Sequence, residues 1–111
     1  MKSKSFKGRK TKRQLSKCKG VAITMDKVQY AFADKLNADE SIKEFICNFP
    51  LEELDFTTDF LCVKSDGDYM VRECVFRKNL ALPRTAKLLD MSRNYWRKRG
   101  VDDWGIVIDK Q

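Results

Sequence analysis

The chain has 111 residues, with 23 Lys and Arg, 16 Asp and Glu and no His, for a net charge of +7; that leaves room for one small domain and not for two. The absence of His excludes His-based triads, His general bases and the usual His-containing zinc sites, so any catalysis falls to carboxylates, Lys, Tyr, Ser, Thr or Cys. Hydrophobic residues make up 42% of the chain, enough for a real but modest core. Cys18, Cys47, Cys62 and Cys74 contain no CxxC pair and read as reduced thiols. No apolar run approaches the ~18 residues of a membrane span, and no apolar stretch follows the N-terminal basic residues, so a cytoplasmic protein with no membrane partner is expected.

Nine of the 23 basic residues lie in the first twenty positions, where there is no acid, and the remaining chain carries 14 basic against 16 acidic residues. Only Met1, Phe6, Leu15 and Cys18 offer apolar surface there, too little to offset the entropy of ordering, so residues 1–20 are expected to form a disordered basic arm. An arm of this kind suits DNA phosphate, with Lys10, Lys12, Arg13, Lys17 and Lys19 as contacts, because each neutralised phosphate releases a counterion. The plainer alternative is a solubilising tail. The folded domain is expected over 21–111.

Met25, Val28, Phe32 and Leu36 recur at intervals of three and four, which predicts an amphipathic helix over about 25–37. Residues 39–51 fit two patterns: Ile42, Phe45, Ile46 and Phe49 follow a helical period, whereas Phe45, Cys47, Phe49 and Leu51 alternate as in a strand. The β-branched and aromatic runs 56–64 and 69–77 flank Ser65-Asp66-Gly67-Asp68 and predict a β-hairpin. Pro83 and the stripe Leu88, Met91 and Tyr95, closed by Gly100, predict a helix over about 84–99. Trp104–Ile108 reads as a short buried strand. The expected class is α/β, with a small mixed sheet flanked by helices. The last strand ends close to residue 111, so no appended module is expected.

Within the hairpin, Asp59 and Glu73 are placed to converge on one edge of the sheet. Glu73 lies in the apolar run Val71, Cys74, Val75 and Phe76, where an unpaired charge is costly; it therefore needs a cation, a hydrogen-bond network or a metal. Two carboxylates and a backbone carbonyl, that of Cys74, make a hard-oxygen set suited to Mg²⁺. A Glu73–Arg72 or Glu73–Arg77 pairing is the structural alternative. The basic end of the second helix, Arg93, Arg97, Lys98 and Arg99, complements the helix dipole and can also meet phosphate. Tyr95 and Trp96 read as packing residues.

Four blocks in order, Asn48-Phe49-Pro50-Leu51, Thr57-Thr58-Asp59-Phe60-Leu61, Arg84-Thr85 through Tyr95-Trp96, and Asp103-Trp104-Gly105-Ile106-Val107, resemble the N-terminal catalytic domain of the TnsA family. That family supplies endonuclease subunits of heteromeric transposases and has the PD-(D/E)XK, restriction-endonuclease-like fold. The resemblance covers roughly residues 24–109. It implies a Mg²⁺- or Mn²⁺-dependent endodeoxyribonuclease in which Asp59 and Glu73 hold the metal and activate water for attack on a phosphodiester. It also implies a mobile-element setting with a recombinase-type transposase subunit as partner. The family's lysine falls on Val75 and its helical glutamate on Gln29. Valine can neither orient water nor offset phosphate charge, so Lys87 or Arg77 is expected to supply the missing cation, and the Gln29 amide to hold a metal-bound water or, alternatively, to lie exposed on its helix. These departures motivate a rival reading, a degenerate nuclease fold that binds DNA or a transposase without cutting. A second rival is a small RNA-binding protein that depends on the arm alone.

Overall fold

The computed structural model describes residues 10–109. The elements are β1 (Thr11–Arg13), β2 (Ala22–Thr24), α1 (Lys27–Ala38), β3 (Ile42–Pro50), β4 (Thr57–Lys64), β5 (Tyr69–Val75), a 3₁₀ turn (Arg77–Asn79), α2 (Pro83–Lys98) and β6 (Trp104–Ile108). β3 to β6 form a four-stranded mixed sheet in the order β3-β4-β5-β6, antiparallel except for the β5–β6 pair. The expected mixed α/β class is thus found. Strand alternation divides the core between the two helices. Phe60, Cys62, Met70 and Cys74 pack with Val28, Ala33 and Leu36 of α1, whereas Leu61 and Val71 pack with Tyr95 and Trp96 of α2.

α1 starts where Asp26 accepts the Gln29 N–H (2.9 Å) and Gln29 Oε1 accepts the Met25 N–H (2.8 Å), a close variant of the reciprocal capping box. The ambiguous segment 39–51 is a strand, because its backbone finds a partner in β4 over residues 42–50. Its alternation does not stay on one face as the strand reading implied. Asn48 has φ 55°, and past it the side chains switch sides: Phe45 and Cys47 pack toward α1, Phe49 and Leu51 toward α2. The Asn48 side chain donates to Ile23 O at 2.7 Å, tying β2 to the point where the side chains change sides. α2 runs from Pro83 at its first turn to Gly100, whose φ of 83° lets Val101 N–H reach back to Trp96 O.

Two expectations are corrected. Residues 10–20 do not form a free arm: β1 pairs with β2, Lys19 N–H bonds Phe45 O and Phe45 N–H bonds Lys17 O along the edge of β3, and Cys18 is buried in the core. The apolar residues alone are too few to order this segment. Its backbone bonds and the Arg13–Asp34 ion pair at 2.6 Å supply the rest. Residues 1–9 of the expected arm lie outside the described residues. The final strand is not buried as expected. β6 is an edge strand with a partner on one side only, and Ile106 is 42% exposed. No helix among the described residues is long and apolar enough to cross a membrane.

Candidate functional site

The β4–β5 ladder pairs Val63 with Tyr69 through Phe60 with Arg72, and continuing that register sets Asp59 opposite Glu73. There, side-chain bonds bridge the two strands. Glu73 Oε1 accepts the Asp59 N–H at 2.8 Å, and Asp59 Oδ2 accepts the Cys74 N–H at 2.7 Å. Glu73 Oε2 accepts the hydroxyls of Thr58 (3.0 Å) and of Ser92 on α2 (2.6 Å). Each hydroxyl is itself held by an indole: Trp96 Nε1–H donates to Thr58 Oγ1 at 2.7 Å and Trp104 Nε1–H to Ser92 Oγ at 3.0 Å. The result is a polar knot joining β4, β5, β6 and α2. Asp59 and Glu73 are both 1% exposed; at that depth a carboxylate is tolerated because several oriented donors replace its water.

The cations named for Glu73 lie elsewhere. The Arg72 guanidinium pairs with Asp103 at 2.8 Å, and Lys64 holds the other oxygen of the same carboxylate at 2.8 Å. Those two partners, the Lys64 hydrogen bond foremost, hold Asp103 below the usual carboxylate range. Arg77 is not on β5 but in the 3₁₀ turn beyond it, so strand alternation does not carry it to the Glu73 side. It is exposed, and its backbone N–H donates to Asp109 Oδ1 at 2.5 Å.

Lys87 is exposed on α2. It precedes Ser92, the α2 residue that reaches Glu73, by five positions, which at 3.6 residues per turn turns it about 140° away from that face. Gln29 is buried rather than exposed, and its Oε1 is engaged by the Met25 N–H. The structure therefore brings Asp59, Glu73 and Cys74 together and leaves Lys87 and Arg77 off that cluster.

Mg²⁺ and Mn²⁺ require several hard oxygens with free lone pairs, usually alongside water. Asp59 and Glu73 are chemically suitable, but Asp59 Oδ2 and both Glu73 oxygens accept hydrogen bonds inside the core. No group of three or more His, Cys, Asp or Glu able to hold a metal occurs among the described residues.

Thr58, Ser92, Trp96 and Trp104 complete the knot without having been singled out as partners of Glu73. Ser92 left a signal, since it lies four residues from Leu88 and from Trp96 and so shares the apolar stripe of its helix, where a small hydroxyl needs a polar partner. The thiols offer no nucleophile. Burial pushes Cys47 up and raises Cys62 to about 12, so both stay protonated at neutral pH.

Of the basic residues expected to meet DNA, Lys10, Lys12 and Lys19 are exposed. Arg13 is spent on Asp34 and on the face of Tyr30, 3.6 Å from its centroid, and Lys17 Nζ donates to Asp39 O at 2.6 Å. Searched against protein-family models and against the curated proteins, the chain matches none.

Proposed function

We propose that this chain is a DNA-binding protein on a restriction-endonuclease-like framework that does not itself cut. The observation that carries this reading is the commitment of the acid pair. Three of the pair's four oxygens, Asp59 Oδ2 and both of Glu73, accept hydrogen bonds from Cys74 N–H, Asp59 N–H, Thr58 and Ser92, and two indoles hold those hydroxyls in the core. Val75, half-buried at the end of β5, adds no cation. The net charge of +7 supplies attraction for a polyanion. The resemblance to the TnsA family supports a mobile-element setting, with a recombinase-type transposase subunit as the partner that would do or direct the cutting.

A nuclease remains the second reading, and one observation favours it: two acids lie together on the two central strands, the Asp59 N–H donating to Glu73 Oε1 at 2.8 Å. Supercoiled plasmid incubated with the purified protein in Mg²⁺ and in Mn²⁺ separates the two. We expect retarded but unnicked plasmid. Metal-dependent nicking that disappears in a folded Asp59→Asn variant would overturn the non-cutting reading.

A further inference from the structure

The charge of this chain is segregated more sharply than one basic N-terminal segment implies. Residues 77–99 carry eight Lys and Arg against the single acid Asp90, whereas the remainder of 21–111 carries six basic against fifteen acidic residues. The second basic segment is almost entirely α2 and the turn that leads into it. A helix dipole accounts for cations in the last turn only; it explains Arg97 and Lys98, but not Lys78, Lys87 or Arg93. A merely solvated face does not explain the sign either, because the surrounding body is acidic.

α2 has two faces with opposite chemistry. Leu89, Ser92, Tyr95 and Trp96 are buried, and Ser92 and Trp96 anchor the helix in the polar knot around Glu73. Taking 100° per residue from Ser92, Lys87, Arg93, Arg97 and Lys98 fall between about 100° and 240°, centred opposite the buried face. All four are exposed. Asp90 lies on the same arc within a turn of Lys87 and of Arg93, yet no ion pair joins it to either of them among the described residues. The four cations are thus presented along about 17 Å of a helix whose position is set by hydrogen bonds on its far side.

Resting on the DNA-binding reading above, we infer that the outer face of α2 is the principal docking surface for duplex DNA, with Lys87, Arg93, Arg97 and Lys98 contacting backbone phosphate. The contact is electrostatic and sequence-blind in character: each cation that meets a phosphate releases a counterion. The helix lies on the face of the sheet opposite α1, whereas residues 13 and 17 of the N-terminal hairpin are tied to α1 and to Asp39 just beyond it. Binding through α2 and binding through the hairpin are therefore separable by mutation.

The test is a salt titration of labelled duplex DNA by fluorescence anisotropy. Arg93→Gln/Arg97→Gln should weaken binding by about tenfold or more and reduce the slope of log affinity against log salt by about 2. Lys35→Gln/Lys43→Gln, which removes the same net charge from exposed positions elsewhere, should change both far less, and unchanged circular dichroism and thermal midpoint confirm that each pair is folded. Wild-type affinity and slope in Arg93→Gln/Arg97→Gln would overturn the inference while leaving the DNA-binding reading intact. An equal loss in Lys35→Gln/Lys43→Gln would overturn it as well, since net charge and not α2 would then be responsible. Absence of DNA binding by the wild-type protein at low salt would overturn both.

Discussion

In the N-terminal hairpin, Arg13 pairs with Asp34 and stacks on Tyr30, and Lys17 donates to the backbone at Asp39; in α2, Lys87, Arg93, Arg97 and Lys98 extend into solvent while the opposite face of the helix bonds to Glu73 through Ser92. Both regions are rich in Lys and Arg. The hairpin is short of apolar surface and uses part of its charge to stay folded. α2 has apolar and neutral hydrogen-bonding residues to hold it, so Lys87, Arg93, Arg97 and Lys98 are left exposed. Basic composition alone thus does not separate cations held inside the fold from cations exposed to solvent; what each cation already touches does.

The largest break in this comparison is Glu73→Ala. It strands the hydroxyls of Thr58 and Ser92 and the Asp59 N–H inside the core, at a cost of about 3 kcal/mol or more. Urea denaturation should show the midpoint falling sharply, and DNA affinity should fall with it as α2 loses its seat. Trp96→Phe sharpens the point by keeping most of the ring and removing only the donor to Thr58 Oγ1. The expected loss is about 1–2 kcal/mol by the same denaturation.

Arg13→Ala should cost less, about 1 kcal/mol, since it removes an ion pair and one stacked guanidinium at a partly exposed site. Its signature is local: faster amide exchange at Ala22 and Thr24 of the hairpin, with α2 unaffected. A larger global loss from Arg13→Ala than from Trp96→Phe would reverse the comparison.

The smallest effect is one of pH. Asp103, half-buried between Lys64 and Arg72, has a folded-state pKa below its ordinary 3.8. A depressed carboxyl binds its proton more weakly in the folded state, so its contribution is complete above about pH 4 and is lost as pH falls through the lower folded value. Asp103→Asn should lower stability at neutral pH modestly, because partly exposed pairs are screened, and should flatten the decline on the acid side by the same amount. An unaltered acid limb would show that the pairing does not survive in solution.

Much of the secondary structure was legible. Met25, Val28, Phe32 and Leu36 marked α1 and Leu88, Met91 and Tyr95 marked α2, because a helix repeats its buried face over three or four turns and the signal accumulates. The 65–68 turn announced the hairpin, since Gly67 occupies a φ of 94° that few other residues adopt. β1 and β2 were missed because three-residue strands carry no measurable period. The face switch in β3 was missed because a single residue, Asn48, causes it. At the candidate site, Glu73 was recognisable as an acid in need of partners. The partners were not, because Thr58, Ser92, Trp96 and Trp104 lie up to 46 positions apart in the chain.

The order of the main elements, the segregation of positive charge into residues 1–20 and 77–99, and the existence of a buried acid on β5 follow from the sequence alone, since period, count and neighbouring residues are local properties. Three matters were decided only by tertiary structure. They are which oxygens and donors meet around Glu73, which cations are spent inside the fold, and which face of α2 is left to solvent. Each depends on distances between residues far apart in the chain, and a buried hydrogen bond forms or fails within a few tenths of an ångström.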